Sequence, residues 1–460
     1  MKYKEKKMAQ EYIVKSGNEA LTSHSGLALI GALLNNRTNL EERLNGVVLP
    51  DLSSPKIAHS DIVFSMTGLI SLGQPDYDAI EPFRGDDFFQ TSLDLGTVPS
   101  SPTVRQRLDV VNGHFDTIIK EESVSLIRNT ARVITPVSTE KGRLIPLDID
   151  VSPFDNSRTQ KEGVSRTYKG HDGFAPIFAY LGREGYLVNT ELREGKQHCQ
   201  KGTPDFLRET IKYAKEITTD PILLRLDSGN DSADNVKISI DAGVDFIIKR
   251  NLRKESVEDW LEVAKEHGEA HIARPGKTVY RGSVYRKLRD IDKPVRIVFD
   301  IAVRTIDKKG QALIIPDIEV DTYWTSLKDS EYQVIELYHD HGTSEQYHSE
   351  LKSDMDIERF PSKNFETNNL ILLMGMLSYN MLRLCGQESL HNINAIQRPA
   401  FRKDAFRRRI RTVMQDLIYL AGRISYHSRK QYLSFGKYCH WSEIWQNIYK
   451  YFLSPVQVAV

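Results

Sequence analysis

The amino-acid sequence predicts an α/β protein, in which a mixed β-sheet follows a mostly helical N-terminal region and precedes a basic helical C-terminal region. Three observations predict this fold. Apolar residues recur at helical spacing up to about residue 140, and segments that alternate with period 2 are joined by helices in residues 141–250. Further alternating segments fill residues 251–336, where they predict a β-rich insertion.

Residues 1–140 predict helices separated by polar loops. The segments SGLALIGALLNN and DIVFSMTGLISLG are apolar at helical spacing. Another helix opens in PSSPTVRQRLDVV, where serine and proline cap signals precede Arg105 and Arg107. Cations near the start of a short helix suit contact with a nucleic-acid groove or phosphate, although many solvated helices share this pattern. These two arginines are therefore candidate nucleic-acid contacts.

The order of elements in residues 141–250 is β-β-β-α-β-α-β. RLIPLDIDV is the first strand, and GFAPIFAYLG and EGYLVNTELR form a hairpin. TPDFLRETIKYAKEI predicts a helix, and PILLRLDSGN and VDFIIKRN are strands separated by the helix SADNVKISIDAG. Three sequential strands followed by helix-linked strands are typical of a layered α/β sheet. Lys249 and Arg250 end the last strand and are candidate phosphate contacts or ordinary surface residues.

The β-rich insertion follows a predicted helix, VEDWLEVAKEHG. Its strand-like segments are KTVYRGSVYRKL, PVRIVFDIAVRTI, QALIIPDIEV and DTYWTSL, joined by turns such as DKKG. Trp324 in the last segment either stacks on an extruded base or packs as an ordinary core residue. Beyond the insertion, LILLMGMLSYNMLRL predicts a buried helix, since it is shorter than the ~20 residues of a membrane span. We therefore expect no membrane partner.

The charge of the chain is unevenly distributed. The sequence of 460 residues is 40% hydrophobic and 27% charged, and 62 Lys and Arg balance 62 Asp and Glu. From Arg383 to the C-terminus, 13 Lys and Arg stand against 4 Asp and Glu, so this tail carries +9 and the remainder −9. Arg407, Arg408 and Arg409 in the tail predict either a phosphate-contacting surface or a solvated helix face.

The cysteines and the N-terminus indicate the compartment. Cys199, Cys385 and Cys439 are far apart and form no CxxC pair, which disfavours a disulfide framework and fits a reducing cytosol. The N-terminal MKYKEKKMAQEY lacks the apolar region of a signal peptide. We therefore expect a cytoplasmic protein.

Acidic residues lie at the ends of two predicted strands. In RLIPLDIDV, period 2 places Asp148 and Asp150 on one face, and Asp227 stands where PILLRLDSGN ends. Ligands and catalytic groups collect at the carboxyl ends of strands in α/β sheets, and carboxylates bind hard divalent cations. Periodicity does not choose between Asp148 and Asp150; we favour Asp150, which is nearer the strand end.

The stretch YHDHGTSEQYHSELK supplies a third carboxylate. Tyr338, His341, Glu345 and Lys352 fall at i, i+3, i+7 and i+14, which is one stripe of a helix. Four polar side chains on one stripe, just before an apolar helix, predict a polar pocket. A zinc site is the alternative, with ligands from His339, His341, Glu345 and His348. We disfavour zinc because residues 339 and 341 do not face each other on a helix and no HExxH is present.

These motifs resemble those of a known family. Tyr338, Glu345 and Lys352 match the spacing of the Y-R-E-K signature of insertion-sequence DDE transposases, with His341 at the arginine position. LDIDVS and LRLDSGN resemble the two aspartate strands, and the insertion lies where one branch of the family carries one. RRRIRTVMQDLIYLAGRI resembles the tail of the group numbered thirteen-eighty within the insertion sequence 4 superfamily. The resemblance runs from about residue 60 onward.

The resemblance implies an RNase H-like catalytic domain and a DNA transposase. Asp150, Asp227 and Glu345 would form its DDE triad and hold two Mg²⁺ ions, or Mn²⁺ in their place. The enzyme would cleave at the terminal inverted repeats of a mobile element and join the ends to target DNA. Tyr338, His341, Lys352 and the basic residues named above would contact DNA, although a histidine at position 341 is only partly charged near neutral pH.

The resemblance also implies partners for the chain and a division of it into five parts. Double-stranded DNA and a second copy of the chain in a synaptic complex are the expected partners, in the bacterial cytoplasm with the nucleoid. Two alternatives remain open: an RNase H-like nuclease without strand transfer, and an inactive DNA-binding protein of the same fold. The expected domains are a DNA-binding region (1–140), the core (141–250 and 337–385), the insertion (251–336) and the basic helical region (386–460).

Overall fold

The computed structural model describes residues 12–49, 55–307, 309–392 and 405–456. The extreme N-terminus and residues 393–404 of the basic tail, which belong to two of the expected domains, lie outside the described residues. In the described ranges, no helix combines the length and the apolar character needed to cross a membrane.

The N-terminal region is helical, as the apolar spacing predicts. A two-residue strand, β1 (Leu21–Thr22), precedes the helices. Asp86 caps the fourth helix by accepting hydrogen bonds from the backbone N–H groups of Phe88 and Phe89. The α-helices in the described part of this region are α1 (Leu27–Arg37), α2 (Leu40–Asn45), α3 (His59–Ser71), α4 (Asp87–Ser92), α5 (Ser101–Val111) and α6 (Asp116–Thr130).

The backbone of α1 at Gly31 lies in direct contact with the backbone at the end of α4. A β-carbon at Gly31 would lie 1.7 Å from the carbonyl oxygen of Ser92, so a side chain forces the two helices apart. We expect Gly31→Ala to lower the free energy of unfolding by about 2–3 kcal/mol, measured by urea denaturation. Gly85→Ala is the matched control, because a β-carbon there meets no atom within 4 Å. Equal unfolding midpoints for the two variants would contradict this prediction.

The predicted order of strands and helices in residues 141–250 is confirmed, with three short strands added after the first strand and a fourth short strand just before residue 141. The register of parallel pairing sets Asp148 opposite Arg225 and Ile149 opposite Leu226. The elements are β2 (Val137–Thr139), β3 (Gly142–Val151), β4 (Phe154–Asp155), β5 (Ser165–Arg166), β6 (Asp172–Phe174), β7 (Ile177–Leu181), β8 (Tyr186–Glu191), α7 (Thr203–Ile217), β9 (Ile222–Leu226), α8 (Ala233–Asp241) and β10 (Asp245–Lys249).

The strands of the β-rich insertion join the same sheet. They follow α9 (Val257–His267) and are β11 (Gly268–Arg274), β12 (Lys277–Arg286), β13 (Val295–Ile306) and β14 (Ala312–Thr325). The sheet runs β11-β12-β13-β14-β10-β9-β3-β7-β8, and β2 pairs with β3. The end of β14 pairs antiparallel with β10, so the insertion extends the central sheet. Strands β9, β10 and β3 are parallel neighbours and the remaining pairs are antiparallel, which is the mixed sheet expected.

Two helical segments follow the sheet. The first comprises α10 (Glu331–His339), a 3₁₀ turn (Asp340–Thr343), α11 (Ser344–Ser349) and a π-helical turn (Glu350–Asp354). Because Glu345 of the expected triad lies within residues 340–354, we refer to them as the catalytic segment. The second is α12 (Phe365–His391), whose central residues are buried against α3, α6 and β8. This confirms the buried core helix, which is longer than its apolar stretch.

The C-terminal region is not purely helical. It contains α13 (Ile410–Val413), a π-helical turn (Met414–Ile418), β15 (Gly422–His427), β16 (Lys430–Phe435) and α14 (Ser442–Leu453). Strands β15 and β16 form a hairpin whose turn residues Ser428 and Arg429 have φ of 50° and 62°, and β1 pairs with β15. The expectation of a helical region is corrected here, because tight-turn geometry and pairing with β1 favour strands over the cationic helix that the composition indicated.

Candidate active site

A polar cavity of about 580 Å³ lies where β3, β9 and the catalytic segment meet. Asp150 is the penultimate residue of β3, Asp227 directly follows β9, and Glu345 is the second residue of α11. All three carboxylates line the cavity, so the structure brings the three acidic motifs together. The other lining residues are Val151, Ser152, Tyr168, Lys169, His341, Gly342, Ser344, His348, Ser349, Lys352 and Ser353.

The parallel register of β3 and β9 explains why two of the carboxylates meet. Since Ile149 pairs with Leu226, the next residues, Asp150 and Asp227, stand level at the carboxyl ends of adjacent strands. The amide of Asn230 donates to Asp227 over 2.7 Å. Burial raises the pKa of Asp227, and the negative charge of Asp150 raises it further. A cation bound between the two carboxylates would remove that repulsion.

Asp148 is placed differently from Asp150. It is 3% exposed, and the guanidinium of Arg225 donates hydrogen bonds to both of its carboxylate oxygens, over 2.6 and 2.7 Å. The ring of His341 contacts the same carboxylate over 3.0 Å. Burial opposes the charge of Asp148, but Arg225 and His341 outweigh burial and lower its pKa. The carboxylate of Asp148 is thus engaged inside the fold, while Asp150 faces the cavity.

Asp150 is held by a buried histidine. The Nε2 atom of His348 lies 3.2 Å from Asp150, and its Nδ1 atom lies 3.1 Å from the hydroxyl of Tyr180. Burial lowers the pKa of His348, which keeps its ring neutral. The tautomer that satisfies both contacts donates from Nε2–H to Asp150 and accepts from Tyr180 at Nδ1. Burial alone would raise the pKa of Asp150, but the hydrogen bond and the nearby histidines lower it.

The predicted stripe of the catalytic segment is partly retained. His341, Glu345 and Lys352 line the cavity, although the segment changes from 3₁₀ to α to π geometry along its length. Tyr338 lies outside the lining, with its ring centroid 5.8 Å from that of His341. The ammonium group of Lys352 donates to the carbonyl of Pro153 over 2.7 Å, and burial lowers the pKa of Lys352 to about 8.

Several predicted DNA contacts are engaged within the fold. Arg107 is 9% exposed and its guanidinium contacts His59 and the carbonyl of Ile57. Arg250 lies between Glu255 and the ring of Trp324. A DNA contact through either arginine would require these interactions to open.

Trp324 and Lys249 are also engaged. Trp324 is 5% exposed, and its indole N–H donates to Asp231 over 3.0 Å, which is the ordinary packed arrangement. The ammonium group of Lys249, at the end of β10, lies 2.6 Å from the carboxylate of Asp321 on β14. A DNA role for these two residues stays a prediction.

The arginines of the C-terminal tail contact the catalytic segment. Arg407 pairs with Glu350 and Arg409 pairs with Asp354, both on the π-helical turn. Arg408 is 4% exposed and pairs with Asp416. Arg105, by contrast, is exposed beside the ring of Tyr77. DNA contact by these four arginines also stays a prediction.

Three residues that shape the site were not assigned to it from the sequence motifs, although His348 was considered as a zinc ligand. Arg225 is two positions before Asp227, so strand alternation places both on one face and could have identified it. His348 is three positions after Glu345 and shares its helical face. Tyr168 reaches the cavity from the loop after β5, and its hydroxyl donates to the carbonyl of Val151. No local pattern indicated Tyr168.

The donor set fits magnesium in its chemistry. Hard divalent cations take oxygen ligands, and three carboxylates supply them. Among the described residues, no three or more His, Cys, Asp and Glu side chains are already clustered closely enough to hold a metal ion. The carboxylates therefore share a cavity without forming a closed cage, and metal binding requires their side chains to converge.

Comparison with known proteins identifies relatives. The family model for the transposase DDE domain, group 1, matches residues 6–455. A solved structure similar to this chain is the cryo-EM structure of the piggyBac transposase synaptic complex with hairpin DNA. The identity is 12% and the TM-score 0.43, and the match covers 88% of this chain and 82% of that one. No curated protein matches the chain significantly.

Proposed function

The chain belongs to the transposase DDE domain group 1 family, and from this premise we propose that it cleaves DNA at the terminal inverted repeats of a mobile element and joins the ends to target DNA. The observation that carries the proposal is the shared cavity of Asp150, Asp227 and Glu345. These three carboxylates come from distant parts of the sequence. Placing them in one cavity costs electrostatic repulsion, which a bound cation would offset.

The proposed catalytic domain is RNase H-like, with Asp150, Asp227 and Glu345 as the metal ligands. Two Mg²⁺ ions, or Mn²⁺ in their place, would activate the attacking oxygen and stabilise the leaving oxygen. The protein itself orients the ligands. Asn230 fixes one oxygen of Asp227, and His348 fixes one oxygen of Asp150. The phosphodiester would enter from the open side of the cavity, beside Tyr168, Lys169 and Lys352.

The finer classification and the partners are part of the same proposal. The spacing of Tyr338, Glu345 and Lys352 supports the Y-R-E-K group, with His341 at the arginine position, and the C-terminal motif supports the group numbered thirteen-eighty. Two element ends must be held together for joining, which supports a homodimer on double-stranded DNA. The bacterial nucleoid is the proposed place of action.

A joining assay tests the proposed function. The full chain is incubated with labelled terminal-repeat DNA, a supercoiled target plasmid and Mg²⁺ or Mn²⁺. Joined products support transposition. Cleavage without joined products would instead support a nuclease, and binding without cleavage under either metal would overturn the catalytic proposal.

The lowered pKa of Lys352 predicts that DNA binding depends on pH. With a pKa lowered to about 8 in the free protein, its ammonium group is largely charged at pH 7 and largely neutral at pH 9. If Lys352 contacts a phosphate, we expect DNA affinity to fall by about fivefold between these pH values, the weight of one charge-assisted contact. Fluorescence anisotropy at constant ionic strength measures the affinity. Lys352→Arg is the control, because arginine stays charged and should flatten the dependence.

A further inference from the structure

The catalytic segment is attached to β3 by two histidine–aspartate contacts. His341 contacts Asp148 over 3.0 Å, and His348 contacts Asp150 over 3.2 Å. The two aspartates are two positions apart on one face of β3, and the two histidines are seven positions apart on the helical segment. Glu345 lies between the two histidines. The contacts therefore form two rungs between strand and helix, one on each side of Glu345.

Both rungs are buried and braced from behind. His341 and His348 are 6% and 4% exposed. Behind the first rung, Arg225 binds Asp148 and also donates to the carbonyl of Leu337 over 2.6 Å, at the end of α10. Behind the second rung, the hydroxyl of Tyr180 contacts the free nitrogen of His348. Asp148 and His348 are thus each held in one orientation by two partners.

Glu345 itself has no such support. It is exposed, and among the described residues it makes no hydrogen bond or ion pair. Its position relative to Asp150 therefore depends on how the backbone of the catalytic segment lies on β3. Because the segment passes from a 3₁₀ turn through α11 to a π-helical turn, a regular helix does not fix that backbone either.

We propose that His341 and His348 are positioning residues that clamp the catalytic segment to β3 and so set the distance between Glu345 and Asp150. The inference rests on the proposed function, since it concerns how the carboxylate ligands are aligned. It also gives His341 a different task from the phosphate contact expected at the arginine position of the signature, because its Nδ1 atom is directed to Asp148.

Other contacts hold the opposite side of the segment, so loss of the clamp need not unfold the protein. The hydroxyl of Tyr347 donates to the carbonyl of Arg183 over 3.0 Å, and Glu350 pairs with Arg383 and Arg407. Variants of the two histidines should therefore fold and remain testable.

Paired substitutions separate the hydrogen bond from the bulk of the ring. His341→Asn retains a donor near the Nδ1 position and His348→Gln retains one near Nε2, whereas His341→Leu and His348→Leu remove it. His339→Leu is the matched control, since His339 is exposed on the preceding turn. The readouts are Mn²⁺ binding to the free full-length protein by electron paramagnetic resonance, hydrogen exchange of residues 340–354, and the Mn²⁺ dependence of strand cleavage.

We expect each leucine variant to weaken Mn²⁺ binding by about 10- to 100-fold and to speed hydrogen exchange in the catalytic segment. The amide variants should stay within about threefold of the parent protein, and His339→Leu should equal it. Leucine variants with unchanged Mn²⁺ binding and exchange would overturn the clamp, whatever their cleavage rate. Failure of the parent protein to cleave DNA would instead overturn the proposed function, while the binding and exchange readouts still test the clamp.

Discussion

Asp227→Asn and Glu345→Gln are each expected to reduce strand cleavage and joining by roughly a thousandfold or more, equivalent to about 4 kcal/mol of transition-state stabilisation. Both residues line the same cavity as Asp150, and among the described residues neither side chain forms an ion pair within 4.0 Å. Replacing one carboxylate by an amide removes a charged oxygen ligand with almost no change of shape. Product formation on labelled terminal-repeat DNA, followed over time, measures the loss.

Binding must be measured beside cleavage for this result to be interpretable. DNA affinity should be unchanged or slightly higher in both variants, because each loses a negative charge in a cavity that must admit a phosphate. Glu336→Gln is the matched control, since Glu336 is exposed on α10 outside the cavity. Parent-like cleavage by either cavity variant would remove that residue from the proposed triad.

Asp148→Asn and Asp150→Asn are expected to fail in opposite ways, although the two residues share one strand face. Asp148→Asn breaks a buried ion pair and leaves the guanidinium of Arg225 without its partner charge, which should cost about 3–5 kcal/mol of unfolding free energy. Asp150→Asn keeps an oxygen that can accept from His348 and leaves no buried guanidinium without its partner charge, so its cost in unfolding free energy should stay below about 1 kcal/mol. Only Asp150→Asn should yield a stable, DNA-binding, inactive protein.

Thermal and urea unfolding, combined with the cleavage assay, separate the two outcomes. Circular dichroism at low temperature confirms that each variant is folded before its activity is compared. A stable and inactive Asp148→Asn, together with an active Asp150→Asn, would reverse the assignment of the first metal ligand.

Much of the fold followed from local patterns. Alternation in RLIPLDIDV and PILLRLDSGN predicted β3 and β9, and the acidic residues at their ends predicted the candidate site. The two strands were predicted correctly because strand alternation is a property of neighbouring residues, whereas the catalytic role of the acidic residues stays a prediction. The cavity also contains Glu345, whose place on a polar stripe was visible in the sequence.

Long-range pairing was beyond such patterns. The strands of the insertion extend the central sheet because β14 pairs with β10, and no local signal specifies which edge a strand joins. The C-terminal hairpin likewise depends on its pairing with β1, about 400 positions earlier in the sequence. A count of basic residues indicated a cationic helical tail, but the tail arginines Arg407 and Arg409 are paired with acidic groups of the catalytic segment.

The sequence by itself determined most element types as far as the buried core helix, the acidic motifs and the polar stripe, because these depend on residue identity and short spacing. Only the tertiary structure decided the separate environments of Asp148 and Asp150. Both residues occupy one strand face, but Arg225 and His341 surround the first, and the cavity opens beside the second. The difference arises from partners 77 and 193 positions away, whose charges and burial set the state of each carboxylate.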